Sequence, residues 1–212
     1  LAVRGQGLDK ESNNIYGELA TYRLDDINEY YYRGALMDVV RVTDFVCSRE
    51  KVDQSKIICM GESQGGALTI AACALDDRYA AGSAGVPFLS DYPDFLAIVN
   101  SPAGAFNEAK KMYNLDEETF LKNLSYFDLK NMADWITCPI QMVFGLQDET
   151  CPPHTNFSSY KLMTCVKEYI PCKLRGHDVW GVRELGEWRN EFFKKYAYID
   201  SYPDPRPVMP AG

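Results

Sequence analysis

The sequence predicts an α/β fold, a mainly parallel sheet covered by helices on both faces. Three observations lead there. Short apolar runs alternate with helical patterns along most of the chain, the signature of strand–helix–strand units. One unit, at residues 56–75, passes from strand to helix through Gly61-Glu62-Ser63-Gln64-Gly65 with almost no connecting loop. The 212 residues carry 46% hydrophobic content, enough for one sizeable core and an insertion.

Taken in order, Leu1 to Val3 reads as the end of a strand, so the chain is expected to begin within a domain. Arg4-Gly5-Gln6-Gly7 follows as a turn, and residues 11–28, lacking periodicity, as a surface loop. Residues 29–49 predict a helix. Leu36, Val39, Val40, Thr43 and Val46 recur at spacings of three and four, with Arg33, Arg41, Asp44 and Arg49 on the other side. Residues 56–60 predict a buried strand, 64–75 a helix, and 80–86 a second strand ended by Pro87. Helical patterns at 92–99, 106–113 and 116–124, broken by Pro93, Pro102 and Gly104, predict a helical insertion at 88–136 over the carboxyl edge of the sheet. Strand patterns resume at 138–145 and 167–170. Helices are predicted at 155–164 and, amphipathic and closing the domain, at 183–196. Residues 1–200 thus form one domain. The proline-rich tail at 201–212 cannot be helical.

Net charge is -8 and the pI is near 4.8, which argues against a nucleic-acid surface. No stretch approaches the roughly 18 apolar residues of a membrane span. Seven cysteines, without paired C-x-x-C spacing, argue against a disulfide framework or a structural zinc site. Cys59 and Cys73 lie in apolar runs and are expected to be core residues. The expected location is the cytoplasm.

The G-x-S-x-G turn, set between strand and helix, has the form of a nucleophile elbow. The expectation is that its flanking glycines are needed because the serine backbone is strained and a Cβ beside it has no room. The competing reading is a glycine-rich turn around a buried serine. A serine hydroxyl needs a base, and the base an orienting group. In α/β-hydrolases these follow in the order Ser, Asp or Glu, His, each after a strand. Of two histidines, His177 lies between the last predicted strand and the last helix, whereas His154 lies one loop earlier; position favours His177. Asp148, directly after the strand ending at Phe144, is the candidate acid, with Glu149 the neighbouring alternative. Asp178 is read as a solvated residue at a helix entry. Ser63 is then the candidate nucleophile, and the backbone N–H of Gln64 a candidate oxyanion donor.

With these residues in place, the chain resembles the acetyl xylan esterase and cephalosporin-C deacetylase family, carbohydrate esterase family seven. The likeness rests on Arg4-Gly5-Gln6, on Gly61-Glu62-Ser63-Gln64-Gly65 and on His177-Asp178, where the family has His-Glu. Tyr32-Arg33-Gly34, Val86-Pro87-Phe88-Leu89, Leu124-Ser125-Tyr126-Phe127-Asp128 and the segment from Gly145 to Pro153 add to it. The resemblance implies an α/β-hydrolase fold and a serine esterase acting on acetylated xylo-oligosaccharides and other small acetyl esters. Ser63, Asp148 and His177 would be its catalytic residues. It implies no metal or organic cofactor, an acetylated carbohydrate as partner and a homo-hexamer. It also implies that the family's N-terminal strands, with the loop carrying the second oxyanion donor, lie upstream of this chain. By itself the chain is expected to be weak or inactive, because losing one such donor costs on the order of 10²–10³ in rate.

Arg4 and Gln6 are expected to tie their turn to the elbow. Tyr92, Phe95, Phe106, Tyr113 and Trp135 are expected either to line an acyl pocket or sugar platform, or to pack the insertion onto the sheet. Two other readings stay open: a different α/β-hydrolase, such as a short-chain carboxylesterase or dipeptidyl-type peptidase, and a non-catalytic hydrolase-like module.

Overall fold

The computed structural model describes residues 3–5, 19–100 and 102–199, apart from the side chain of residue 180. Gln6, Leu1, Ala2, residues 11–18 of the first predicted loop and the tail at 201–212 lie outside them.

The ordered elements are α1 (Tyr31–Cys47), β1 (Ile58–Glu62), α2 (Gln64–Leu75), β2 (Ala81–Gly85), α3 (Tyr92–Ile98), α4 (Ala103–Met112), α5 (Glu117–Ser125), β3 (Ile140–Gly145), α6 (Pro153–Leu162), β4 (Lys167–Cys172) and α7 (Leu185–Ala197). Among the described residues the sheet has four parallel strands in the order β1-β2-β3-β4. The central strands β2 and β3 are buried along their whole length. β1 is only half-buried, not the buried strand its apolar run predicts, because it and β4 are the flanks of this sheet. Parallel pairing forces each connection to cross over the sheet, and the crossovers carry α2, the α3–α5 segment and α6 onto one face. α7 covers the other.

The helices follow their sequence patterns closely, and the differences have local causes. α1 starts at Tyr31 because residues 26–30 form a turn in which the N–H groups of Glu29 and Tyr30 bind Asp26 O. Its buried face carries Leu36, Val39 and Thr43 as predicted, together with Tyr31, Tyr32 and Ala35. Pro93 and Pro153 do not break helices. They sit in the first turns of α3 and α6, where a missing N–H costs nothing. Gly104 lies inside α4 rather than ending it. The loop before α1 is not wholly a surface loop either: Thr21 and Leu24 are buried beneath it.

The main core is the layer between the sheet and α1, α2 and the 92–135 segment. Tyr92, Phe95 and Phe106 are buried there, their rings packed edge-on or tilted against one another, and Phe95 and Phe106 against Phe88, at centroid distances of 5.5–6.2 Å. Of the two readings for these rings, packing of the insertion is the one the structure bears out. Tyr113 is half-buried, its hydroxyl taken by the N–H of Arg23 at 3.0 Å. Trp135 is exposed beside Val40, Leu75 and Asp76, away from the carboxyl ends of the strands, so it is no part of an acyl pocket.

Arg4 takes a different partner from the one expected. Its Nε and Nη2 donate to the Asp38 carboxylate at 2.9 and 2.6 Å, and its guanidinium lies over Gly34, where a Cβ would come within 2.7 Å of three of its atoms. This fastens residues 3–5 to α1, not to the elbow. Arg4 holds the Asp38 carboxyl below its ordinary range, chiefly by hydrogen bonding.

Candidate active site

Ser63 stands between β1 and α2 with φ 54° and ψ −117°, a conformation that costs a non-glycine residue about 1–3 kcal/mol. The turn persists because backbone partners hold it. Ser63 N–H donates to Gly85 O at 2.9 Å, and its carbonyl accepts from Ala67 N at 2.9 Å and Phe88 N at 3.1 Å. Each such bond is worth about 0.5–1.5 kcal/mol net, enough together to offset the strain. The glycines divide differently from the motif. A Cβ on Gly61 would lie 2.5 Å from the Gly65 carbonyl carbon, and one on Gly66 would lie 2.5 Å from Gly85 O. A Cβ on Gly65 would meet no heavy atom within 4 Å. The required small residues are therefore Gly61 and Gly66, and Gly65 is spare.

His177 is brought to Ser63 from 114 residues away. Its Nε2 is 2.8 Å from Ser63 Oγ, and its Nδ1 is 2.8 Å from Asp148 Oδ2. The Asp148 side chain is fully buried, and its other oxygen accepts from the N–H groups of Thr150 and Cys151, each at 2.8 Å. The carboxylate is thus held at both oxygens. The turns that carry acid and base are zipped together: Leu146 N–H donates to Cys172 O and Gln147 N–H to Arg175 O. Arg175 brackets the histidine turn, donating to Asp178 at 3.2 Å and to Gly181 O at 3.2 Å.

The alternatives lie elsewhere. Glu149 is exposed. His154 is mostly exposed on α6 and pairs with Asp94 of α3 at 2.6 Å. Asp178 is exposed at the entry to a short turn, where the sequence reading puts it. Gln64 is the first residue of α2, so its N–H belongs to the positive end of the helix. Its side chain donates to Tyr32 Oη at 3.1 Å.

Three neighbours of the elbow stand in stretches that carry the resemblance, but the sequence assigned them no role. Tyr32 is buried and meets Gln64; burial raises its phenol, so it stays a neutral hydrogen-bond partner. Cys151 is buried against Asp148 and Ser63. Burial first, and the Asp148 charge second, push its thiol up, so it remains protonated. Phe88 lies in a loop with positive φ at Val86, Leu89 and Asp91, held from behind by Asp128, whose carboxylate accepts from the N–H groups of Asp91, Tyr92 and Lys130. Burial raises that carboxyl. Asp128 directly precedes a short helical turn and closes the Leu124–Asp128 stretch of the resemblance. A cleft of about 580 Å³ lined by Ile98, Asn100, Asp148, Glu149, Thr150 and Pro152 opens beside the acid turn.

The chain matches a known family. The model of the acetyl xylan esterase (AXE1) family matches residues 1–196. The chain belongs to the acetyl xylan esterase family. It is 31% identical over 175 residues to acetyl esterase Axe7A of Xylanibacter ruminicola, a match that covers 82% of this chain and 39% of that protein. The acetyl xylan esterase of Paenibacillus sp. R4 is 36% identical with a TM-score of 0.77, over 82% of this chain and 55% of that one. Acetyl xylan esterase 1 of Thermoanaerobacterium sp. JW/SL YS485 is 28% identical with a TM-score of 0.81, over 93% and 65%. The chain therefore spans between about two fifths and two thirds of the acetyl xylan esterase relatives it matches. Its fold is that of an α/β-hydrolase.

Proposed function

We propose that the protein is a serine esterase that removes acetyl groups from acetylated xylo-oligosaccharides and similar small acetyl esters through an acyl-enzyme. The observation that carries this reading is the pair of 2.8 Å contacts joining Ser63, His177 and Asp148, in a chain of the acetyl xylan esterase family. In the proposed reaction Ser63 Oγ attacks the acetyl carbonyl carbon while His177 Nε2 takes its proton. Asp148 fixes the tautomer with Nδ1–H and stabilises the imidazolium. The oxyanion forms near the N–H of Gln64 and the positive end of α2. Collapse breaks the ester bond, and His177 returns the proton to the departing sugar oxygen. A water molecule, deprotonated by His177, then attacks the acetyl-serine; collapse breaks the bond to Ser63 Oγ, which takes the proton back from His177, and acetate is released.

The same reading extends to cephalosporin-C as a substrate, to a homo-hexamer and to a cytoplasmic location, all supported by the family resemblance alone. Nucleic acid and membrane are not proposed as partners.

The test is labelling of the full-length protein by a fluorophosphonate, with rates on p-nitrophenyl esters of increasing chain length. Labelling that disappears in Ser63→Ala, with rates dropping sharply beyond propionyl, is expected. An unlabelled protein, or one equally fast on butyryl and longer esters, overturns the reading. A monomer by light scattering would remove the hexamer.

A further inference from the structure

The face of the sheet under α7 is not uniformly apolar. Two apolar clusters lie there, one around Val143, Val179 and Leu185 and one around Ala81, Phe192 and Phe193. Side chains from four elements meet in a polar network on the same face. Arg189 of α7 is 5% exposed, and its Nη2 lies 2.5 Å from Glu62 Oε1 at the end of β1, an ion pair by proximity and not an aligned hydrogen bond. Its Nε donates to Ser83 Oγ of β2 at 3.1 Å. Ser83 Oγ donates to Gln141 Oε1 of β3 at 3.0 Å, and Gln141 Nε2 donates to the Trp188 carbonyl at 3.3 Å. Gly85 leaves space for the pair: a Cβ there would come within 3.1 Å of Glu62 Cγ and 3.5 Å of Arg189 Nη2.

Stability alone gives little reason for this network, since the cost of taking the Arg189 charge out of water offsets much of what pairing it with half-buried Glu62 gains. Its location gives another. Glu62 is the residue immediately before Ser63, and Arg189 belongs to the helix that follows the His177 turn. Ser63 is strained, and its backbone bonds tie it to β2 at Gly85, to α2 at Ala67 and to the following loop at Phe88. Only the Glu62–Arg189 pair reaches the elbow from the α7 side among the contacts described.

We propose that Glu62 and Arg189 are positioning residues. Their ion pair clamps the end of β1 to α7 and so keeps Ser63 Oγ at bonding distance from His177 Nε2. The proposal rests on Ser63 being the nucleophile, and neither residue touches the reacting atoms.

The experiment compares the full-length protein with Glu62→Gln, which removes the charge at constant shape. It also uses Arg189→Lys, which keeps the charge but cannot reach Ser83 and Glu62 together. Ser63 phosphonylation and kcat on p-nitrophenyl acetate should both fall by about 10- to 100-fold, the range that a displacement near 1 Å produces. KM should change by less than about twofold, because ground-state binding is untouched. A purely structural role would lower the melting temperature and leave the labelling rate of the folded protein at the wild-type value. That result, in either variant, overturns the clamp. Should Arg189→Lys fail to fold, Glu62→Gln decides, because that side chain is a quarter exposed and tolerates the change. A wild-type protein that is not labelled at Ser63 would instead remove the nucleophile reading, and the clamp with it.

Discussion

Gly145→Ala tests whether the acid and base turns are held as one unit. Gly145 ends β3, three residues before Asp148. A Cβ there would overlap Gly176 O and lie 2.9 Å from both Arg175 O and Gly176 C, where ordinary contact starts at 3.4 Å. These are backbone atoms, so no side chain can swing aside, and the turns must part by about an ångström or more. The His177–Asp148 bond, now 2.8 Å, would open to or beyond the roughly 3.2 Å limit for N–H···O. Complete loss of the orienting acid costs about 10⁴ in kcat in a serine triad, which sets the ceiling. Partial misplacement should cost about 10- to 100-fold in kcat/KM. Overpacking should also remove about 1–3 kcal/mol of stability. For a chain of this size that lowers the melting temperature by roughly 2–4 °C per kcal/mol. The assay is kcat/KM on p-nitrophenyl acetate beside a thermal melt. Gly186→Ala serves as control, since its Cβ meets nothing within 4 Å. A Gly145→Ala protein that melts lower yet keeps wild-type kcat/KM would refute the coupling. One unchanged in both would refute the packing argument.

Three more outcomes are expected. Asp148→Asn should keep the fold but lower kcat by up to about 10⁴, because the amide no longer enforces the Nδ1–H tautomer; single-turnover acetylation of Ser63 measures it. Gly61→Ala should be inactive or unfolded, whereas Gly65→Ala should match wild type or gain up to about 1 kcal/mol of helix stability in a denaturant titration. The Asp38 carboxyl is depressed when folded, so its pairing with exposed Arg4 stabilises at pH above the ordinary Asp value and is lost as pH falls through the folded value. Arg4→Met should therefore cost less than about 1 kcal/mol at pH 7, and the difference from wild type should vanish in strong acid.

What was legible in the sequence was local. Periodicity placed α1 and α7, turn chemistry placed the elbow, and the order Ser63, Asp148, His177, each after a strand, singled out the residues the fold brings together. The side chain of Arg189 sits four residues after Leu185 and three before Phe192, on the buried stripe of α7, so even that burial was written in the spacing. Its partner was not, because Glu62 lies 127 positions away and nothing in either neighbourhood marks the other.

The sequence by itself determined which segments become strands and helices, and which residue types stand at the strand ends, because these depend on the period of apolar residues and on the chemistry of a few turn positions. Only the tertiary structure decided that Trp135 faces outward, that Arg4 seizes Asp38, that Gly66 rather than Gly65 is indispensable, and that Tyr32 and Cys151 flank the serine. Each of those depends on which distant backbone comes within 3–4 Å, a distance set by how the layers pack and not by any neighbour along the chain.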